Sequence, residues 1–570
     1  MHARIRRMGR VAIVGLVVIA AHGAVPLWSQ QALRTQAEES GFKEYTRHAN
    51  MMAYLRALQA TTPEMKLSTY GETWSGRELP YVIFSRPLIA QPWEAMASGK
   101  PIVLFQANVH GGERTQRESL MILMRELATP GSEVNAWLDH IVLLIAPQVN
   151  PDGFEAQPNA TRGNQWGIDL NRDYIKLEQP EISNLVTNLY HKWYPHLIID
   201  GHNGGARPYN INYITTANAS VDPALIALCE KEIFPLVRQR NEDQGLKAFY
   251  YPRGNAEYWD GAPHYPRIAM TYASFMNSLG ITFESPGQAM ETGVKSGLIS
   301  YKAVLEYVVK NSAKVLATVS KARQDTIAMG LKPGLDVMVD MRQVDQDFTV
   351  SYEIPDPKNQ GQFITIPNGK LRTKPEVTKS RPRPWAYLLP RDARDAVALL
   401  RKHNITVETL REPQTLKVQA YLLEGVQHRA EYNHSAATVV EVAEVQTIDR
   451  TFPAGTFVVS TAQVLGRLVA HLLEPESDDN VVLWNRMDAW LPLAQLRAAA
   501  AAAAAPAADP PAVAGAGGRA AGAGQAGGGR GGAGRGGGRG GGRGGPPQPP
   551  FVPIFKLMER QPLPTQLHWN

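Results

Sequence analysis

Four short apolar runs constrain the fold of this 570-residue chain more than any other feature of its sequence. They read PIVLFQ at 101–106, HIVLLIAP at 140–147, HLIID at 196–200 and ITFE at 281–284. Runs of this length and composition suit strands that are buried on both faces, and residues 118–127, after the first run, carry apolar residues at helical spacing. Strands that alternate with helices predict an α/β fold with a mixed, largely parallel sheet that is sandwiched by helices.

The loop after the first run contains a candidate metal-binding pair. His110 and Glu113 lie three residues apart in Asn108-Val-His-Gly-Gly-Glu-Arg114, so an imidazole and a carboxylate can reach one cation. Such a pair is common by chance and also fits a solvated loop, so the hypothesis needs a third ligand. His202 follows the third run, where a parallel sheet would bring it beside His110, although a polar loop histidine is the alternative interpretation.

The cysteine count limits the ligands that such a site can use. The chain contains one cysteine, Cys229, which excludes an intrachain disulfide framework and a zinc site built from several thiolates. Any metal must therefore be held by histidine, aspartate or glutamate.

The basic excess of the chain is confined to two short segments. The net charge is +6, but residues 1–29 contribute four arginines and no acid, and residues 498–550 contribute five arginines and one aspartate. The remaining 488 residues carry 50 basic and 52 acidic side chains, a net charge of −2. This near-neutral body argues against a nucleic-acid partner.

Residues 1–29 have the pattern of a signal peptide, because a basic stretch precedes an apolar run at 11–21 and small residues follow. The pattern predicts an exported protein, periplasmic or extracellular. The run is short for a membrane span, so we expect no stable membrane insertion, and an uncleaved N-terminal anchor is the alternative. Nothing in the sequence specifies an oligomeric state.

Composition and apolar patterning divide the chain into further segments. We expect an α/β domain at 30–330, a β-rich and then α/β accessory region at 331–497, a disordered Ala/Gly/Arg/Pro-rich insertion at 498–550, and a C-terminal strand at 551–570 that returns to the accessory region. Residues 385–410 read as strand, helix, strand; residues 416–422 and 437–445 read as further strands and residues 462–473 as a helix. This smaller mixed α/β region carries no chemical motif.

Further motifs stand in a fixed order around the metal-binding residues. Asn150-Pro-Asp-Gly153, Arg162 and Asp169-Leu-Asn-Arg172 precede His202, and Glu284 ends the fourth run. The ordered set resembles the zinc carboxypeptidase family, the M14 metallopeptidases of carboxypeptidase A type, over roughly residues 45–310. The resemblance implies a zinc carboxypeptidase-like catalytic domain at 30–330, one Zn²⁺ ion per chain and a peptide substrate.

The resemblance also implies roles for the residues around the metal. His110, Glu113 and His202 correspond to the zinc ligands. Glu284 corresponds to the glutamate that activates the zinc-bound water and then protonates the leaving amine. Asp169 resembles the acid that orients His110 through its other ring nitrogen, although it also fits a turn cap.

Substrate-binding residues are implied in the same way. Arg162 resembles the arginine that stabilises the oxyanion, although an ordinary loop arginine is the alternative. Asn171 and Arg172 correspond to the pair that binds the terminal carboxylate of the substrate. The family also has a tyrosine that caps the substrate, and among Tyr258, Tyr265 and Tyr272 we predict Tyr265. We predict no catalytic role for Asn150-Pro-Asp-Gly153, because these residue types are typical of a turn.

Two departures from the family pattern affect the predicted activity. Asp173 follows Arg172 where an asparagine is usual, so it either repels a substrate carboxylate or pairs with Arg172. Asn203-Gly204-Gly205 follows His202 where a small hydroxyl residue is usual.

Three functions fit these residues. The leading hypothesis is an exported zinc metallopeptidase that hydrolyses peptide bonds at or near the C-terminus by a zinc-activated water. The first alternative is a zinc amidohydrolase of the same fold that acts on N-acyl amino acids or cell-wall peptides. The second is a non-catalytic binding module.

Overall fold

The computed structural model of the protein describes residues 33–261, 264–332, 334–494, 496 and 550–568. The predicted signal peptide at 1–29 and, except for residue 550, the predicted insertion at 498–550 lie outside these residues. In the described part of the chain, no helix combines the length and the apolar character that a membrane span requires.

An eight-stranded mixed sheet organises the first half of the chain. The strands in chain order are β1 (Met65–Glu72), β2 (Glu78–Phe84), β3 (Ile102–Ala107), β4 (Val142–Ala146), β5 (Leu197–His202), β6 (Ile211–Thr215), β7 (Ala248–Tyr250), β8 (Tyr258–Asp260) and β9 (Leu279–Glu284). All but β8 join this sheet, in the order β1-β2-β4-β3-β5-β9-β6-β7. The neighbours β4, β3, β5 and β9 are parallel, as are β6 and β7, and the remaining pairs are antiparallel.

The four apolar runs form the four central strands of this sheet. Each of β3, β4, β5 and β9 begins and ends within two residues of its predicted run, and every residue in these strands is buried. The prediction of a mixed, largely parallel sheet is therefore confirmed. Parallel strands end at the same edge of a sheet, so the loops after β3, β4, β5 and β9 meet there.

Thirteen helices in the described residues accompany this sheet. They are α1 (Gln36–Glu39), α2 (His48–Gln59), α3 (Pro92–Ala97), α4 (Thr115–Ala128), α5 (Glu133–Ala136), α6 (Pro151–Phe154), α7 (Pro180–Leu185), α8 (His191–Trp193), α9 (Pro223–Leu228), α10 (Phe234–Glu242), α11 (Ala269–Phe275), α12 (Met290–Lys310) and α13 (Ser312–Leu331). Short 3₁₀ turns form at Trp137–Asp139 and Leu170–Arg172, and π turns at Val186–Tyr190 and Cys229–Ile233.

Two strand glycines show that helices cover both faces of the sheet. A Cβ atom on Gly201 in β5 would collide with Tyr301 in α12, and one on Gly280 in β9 would collide with the backbone of Met270 in α11. Gly280 pairs with Ile198, which lies three residues from Gly201 in β5 and therefore faces the opposite side. Helix α11 thus covers one face and α12 the other, which confirms the predicted helix–sheet–helix layers.

The second half of the chain adds three smaller sheets. Its strands are β10 (Asp336–Val344), β11 (Thr349–Pro355), β12 (Phe363–Arg372), β13 (Lys374–Pro382), β14 (Ala386–Leu389), β15 (Glu408–Leu410), β16 (Gln414–Glu431), β17 (His434–Phe452), β18 (Phe457–Ser460), β19 (Phe555–Leu557) and β20 (Thr565–Leu567). Its helices are α14 (Arg394–Lys402), α15 (Gly466–Leu473) and a 3₁₀ turn at Asp488–Trp490. The sheets are β10-β13, β11-β12-β8 and β17-β16-β19-β14-β18-β15-β20, so β8 joins the two halves.

The hairpin of β16 and β17 is much longer than the sequence predicts. The apolar runs at 416–422 and 437–445 predict two strands, whereas the paired strands have 18 and 19 residues. The residues of both strands that lie outside these runs are mostly polar, so no apolar pattern marks them. The pair Glu431–His434 closes the hairpin around a two-residue turn, Tyr432–Asn433, which we call the hairpin tip. Asn433 has a φ of 59°, a left-handed conformation that asparagine tolerates.

Candidate active site

Two histidines and a glutamate converge where β3 and β5 end. The Nδ1 atoms of His110 and His202 are 3.1 Å apart, and each lies 2.8 Å from one carboxylate oxygen of Glu113. Each residue offers one potential ligand atom, and these three atoms all lie within 4.8 Å of one another. Both histidines are buried. We call these three residues the metal centre.

Two aspartates fix the orientation of the imidazole rings. His110 Nε2 lies 2.9 Å from Asp169 Oδ1, and His202 Nε2 lies 2.6 Å from Asp200 Oδ2. When the Nε2–H groups donate to these carboxylates, each ring turns an unprotonated Nδ1 toward Glu113. Two nitrogen lone pairs and a carboxylate then face one another, which is a set of acceptors that a cation would complete.

The electrostatics of the metal centre also favour a cation. Burial opposes ionisation of Glu113, but the neighbouring imidazoles of His110 and His202 hold its pKa well below the ordinary value. Burial likewise disfavours a charge on His202, yet Asp200 and Glu113 raise the pKa of this imidazole well above the ordinary value. A field that attracts a proton to a buried imidazole attracts a metal cation as well, and a donor set of two histidines and one glutamate fits zinc.

Asp200 is a site residue that the sequence analysis missed. It lies two residues before His202 in β5, so both side chains project from the same face of the strand. The spacing was therefore a usable signal in the sequence. Asp169 contacts the ring nitrogen of His110 that faces away from Glu113.

The side chain of Asn108 stabilises the loop that carries His110 and Glu113. Asn108 adopts a φ of 59°, and its Nδ2 donates to the carbonyl oxygens of His110 and Glu113 at 2.8 and 2.9 Å. The loop packs directly on the Asn150-Pro-Asp-Gly153 turn, since a Cβ atom on Gly111 would collide with the backbone of Gly153. That turn supports the metal centre without facing the cleft.

Glu284 lies beside the metal centre at the end of β9, where it pairs with His202. It is 7% exposed, and burial raises the pKa of its carboxyl group to about 8. A Cβ atom on Gly204 would lie 2.7 Å from Glu284 Oε2, so the missing side chain leaves room for the carboxyl group. The position suits proton transfer at the mouth of the metal centre.

Arg162 bridges the metal centre and the acid behind it. Its Nε donates to Asp169 Oδ2 at 3.0 Å and its Nη1 to Glu113 Oε1 at 3.1 Å. The side chain is 48% exposed and borders the cleft, so its guanidinium can also reach a ligand.

Asn171 and Arg172 border the same cleft. Asn171 Nδ2 lies 3.3 Å from His202 Nε2, while Arg172 Nη1 donates to the Asn171 carbonyl oxygen at 2.8 Å. Asp173, the departure noted in the sequence, is buried and accepts the backbone N–H groups of Glu178 and Gln179. It neither pairs with Arg172 nor borders the cleft, which removes the predicted conflict with a substrate carboxylate.

The tyrosine prediction requires a correction. Tyr265, 39% exposed, borders a different cavity together with His264 and Arg267, and Tyr251 borders the active-site cleft instead. Of the two alternatives, Tyr272 is buried and Tyr258 lies in β8 of another sheet. Spacing along the chain could not distinguish these tyrosines, because Tyr251 reaches the cleft through the packing of β7, which ends one residue before it.

The cleft itself has a volume of about 290 Å³. Polar groups of the metal centre, Glu284, Arg162 and Arg172 occupy one side. The other side is apolar, with Ile214, Ile268 and Met270 packed together against Tyr251.

The hairpin tip, which comes from the second half of the chain, lies against Asp169 and Arg172 beside this cleft. Asn433 Oδ1 accepts the backbone N–H of Asp169 at 3.1 Å, and the ring of Tyr432 lies 5.7 Å from the guanidinium carbon of Arg172. No motif near residue 432 signals this approach, which depends on the length of the hairpin.

Comparisons with known proteins agree with this geometry. Residues 51–216 match the family model of zinc carboxypeptidases. Carboxypeptidase 2 of Trichophyton rubrum is 25% identical over 493 residues, which cover 80% of this chain and 87% of the relative. Carboxypeptidase E of Caenorhabditis elegans is 29% identical over 180 residues, 29% of this chain and 36% of the relative. The carboxypeptidase A structure from Helicoverpa armigera has a TM-score of 0.39 at 17% identity and covers 50% of this chain and 81% of that one.

The fold and the site define a metal-dependent hydrolase with an α/β sheet. Residues 51–216 match a zinc carboxypeptidase domain, and the relatives that align with most of this chain are carboxypeptidases.

Proposed function

We propose that the protein removes single amino acids from the C-terminus of peptides, with zinc held by His110, Glu113 and His202. One observation carries the proposal: the three ligand residues share a single cleft with Glu284, a proton-transfer group, and Arg172, a group that binds carboxylates. Zinc bound there supplies a Lewis acid that polarises a carbonyl group and lowers the pKa of water.

The residues around the metal centre divide the catalytic work. Glu284 takes a proton from the attacking water and delivers it to the leaving amine. Arg162 donates to the oxygen on which negative charge develops. Asp169 and Asp200 hold the imidazole rings so that their Nδ1 atoms stay available.

Arg172 and the amide of Asn171 bind the terminal carboxylate. A guanidinium can donate to both carboxylate oxygens at once, which favours a free C-terminus over an amide. Asp173 does not oppose this interaction, because its carboxyl group is turned into a backbone turn. The apolar side of the cleft, formed by Ile214 and Met270, supports a preference for an apolar C-terminal side chain.

The test is cleavage of a peptide mixture with products identified by mass spectrometry. Each peptide is supplied with a free C-terminus and as its amide, with and without a zinc chelator. The proposal requires stepwise loss of single residues from the free-acid forms alone, abolished by chelation and restored by zinc. Internal cleavage would refute it, and cleavage of N-acyl amino acids or cell-wall peptides alone would assign the site to an amidohydrolase.

We also infer that the enzyme is exported. The basic, apolar and small residues of segment 1–29 support a signal peptide. Fractionation of expressing cells and N-terminal sequencing of the product test this, and a cytosolic protein that starts at Met1 would refute it.

A further inference from the structure

We propose that Tyr432 in the hairpin tip is a substrate-binding residue of the cleft and contacts the C-terminal residue of the bound peptide beside Arg172. The inference rests on the proposed function and extends it, because it makes the second half of the chain a part of the active site.

The position of Tyr432 points to a ligand. Its ring lies 5.7 Å from the guanidinium carbon of Arg172, and the side chain also interacts electrostatically with Arg162. The residue is 55% exposed, so the ring contributes little to a hydrophobic core. Within the described residues its hydroxyl group makes no hydrogen bond. An exposed tyrosine between two arginines that border the cleft has both an apolar face and a polar group to offer a substrate.

The side chains of the residues on either side of Tyr432 bind to the first half of the chain. Asn433 Oδ1 accepts the N–H of Asp169, the acid that orients His110. On the other side, Glu431 lies 3.4 Å from the guanidinium of Arg267, which pairs in turn with the buried Asp479 at 2.8 Å. These contacts fix the tip at both of its ends.

A loop at 477–488 packs against the hairpin beside its tip. His434 Nε2 lies 2.5 Å from Asn485 Oδ1, and its ring packs edge-on against Trp484 with 5.1 Å between the centroids. Arg486 connects the same loop to Glu178 of the first half of the chain at 2.7 Å. A tyrosine held by such a brace loses little freedom when a ligand binds, which favours recognition.

The chemistry of the tip matches the C-terminal residue of a peptide. The guanidinium of Arg172 attracts the carboxylate, the Tyr432 hydroxyl can donate to a carboxylate oxygen, and the ring can cover the apolar side chain. A hydrogen bond to a charged group contributes about 1.5–3 kcal/mol, which corresponds to roughly 10- to 100-fold in binding.

The test compares Tyr432→Ala and Tyr432→Phe with the wild type on an acylated dipeptide with a C-terminal phenylalanine. The matched control is Tyr258→Ala, because the ring of Tyr258 also lies under an arginine, 3.7 Å from the Arg372 guanidinium carbon, but borders another sheet. We expect Tyr432→Ala to raise KM at least tenfold with kcat within about threefold, Tyr432→Phe to raise it less, and the control to match the wild type.

The outcomes separate the inference from the proposed function. A wild-type enzyme that removes no C-terminal residue would refute the proposed function itself. An active wild type with an unchanged KM in Tyr432→Ala would refute only this inference. A fall in kcat or in zinc content without a change in KM would do the same, because it would mean that the tip acts solely through Asp169.

Discussion

Two of the clusters in which the protein buries charged side chains, one in each half of the chain, are very different. In the metal centre, the converging atoms of His110, His202 and Glu113 are all acceptors once the Nε2–H groups are engaged by aspartates. In the seven-stranded sheet, Lys556 Nζ lies 3.1 Å from Glu474 Oε2, and both side chains are fully buried. The first cluster needs a cation, whereas the second contains its own.

The cluster around Glu474 is closed by hydrogen bonds. Tyr387 donates to Glu474 Oε2 at 3.2 Å, Tyr421 donates to Glu474 Oε1, and Lys556 also donates to the Tyr421 hydroxyl at 3.0 Å. Every charged atom of the pair therefore has a partner of opposite character inside the chain, and both side chains are shielded from solvent. The difference teaches that buried charge marks a functional site only where the partners supplied by the chain are incomplete.

The largest expected effect separates activity from stability at Glu284. We expect Glu284→Gln to lower kcat by about 10²–10⁴-fold, because the amide cannot accept the proton from water. The urea midpoint of unfolding should stay unchanged or rise, since glutamine replaces a buried acid whose pKa burial raises to about 8. Peptide hydrolysis and urea titration measure the two effects, and residual activity within tenfold of the wild type would contradict the assigned role.

At Lys556 we expect the opposite result, a loss of stability without a loss of activity. Lys556→Met leaves Glu474 buried without its counter-charge and should lower the free energy of unfolding by about 3–5 kcal/mol. Activity per folded molecule should not change, because the cluster lies away from the cleft. Lys310→Met is the matched control: Lys310 is 68% exposed in its pair with Glu306, and its loss should cost less than about 1 kcal/mol. Equal effects of the two substitutions would contradict the comparison.

A smaller effect is expected at the aspartate behind the metal ligand His202. Asp200→Asn should weaken zinc binding by about 10- to 100-fold, because a neutral amide accepts the Nε2–H of His202 more weakly than a carboxylate does and holds the ring less firmly. Competition with a chromophoric chelator measures the affinity. Asp173→Asn provides the control, since Asp173 is equally buried but binds only backbone N–H groups. Equal losses in both variants would mean that the effect is not specific to the ligand.

Most of the first half of the fold could be predicted from the sequence, because buried parallel strands leave continuous apolar runs. The antiparallel strands β1, β2 and β6 leave weaker signals and were not predicted. In the site, local spacing identified His110 with Glu113, and strand position suggested His202. The Asp200–His202 spacing in β5 was readable but overlooked.

The residues that the sequence analysis missed depend on contacts distant in the chain. Tyr251 reaches the cleft through the packing of β7 and the loop after it, and its sequence neighbours carry no motif. Asn433, the neighbour of Tyr432, lies 264 positions along the chain from Asp169, to which it binds. Its approach follows from the length of a polar hairpin, and polar strand ends carry little of the apolar alternation from which strands are recognised.

The smallest effect concerns the contact between the two halves of the chain. His403 Nε2 donates to the Ile175 carbonyl oxygen, so its bare Nδ1 accepts from the Tyr272 hydroxyl, which lies 2.7 Å away and in turn accepts from His191 Nε2. Burial lowers the pKa of His403 to about 4 and that of His191 to about 3.

Because both histidines resist protonation in the folded state, the unfolded chain binds more protons once the pH falls below about 6.5. The contribution of these two histidines to stability should therefore be constant above this value and decrease as the pH falls from 6.5 toward 4, by about 2 kcal/mol per histidine at pH 5. Asparagine can replace both hydrogen bonds of His403 but does not titrate, so His403→Asn should flatten the decrease measured by urea unfolding. The exposed His140→Asn should leave it unchanged, and equal slopes in wild type and His403→Asn would show that the pH dependence arises elsewhere.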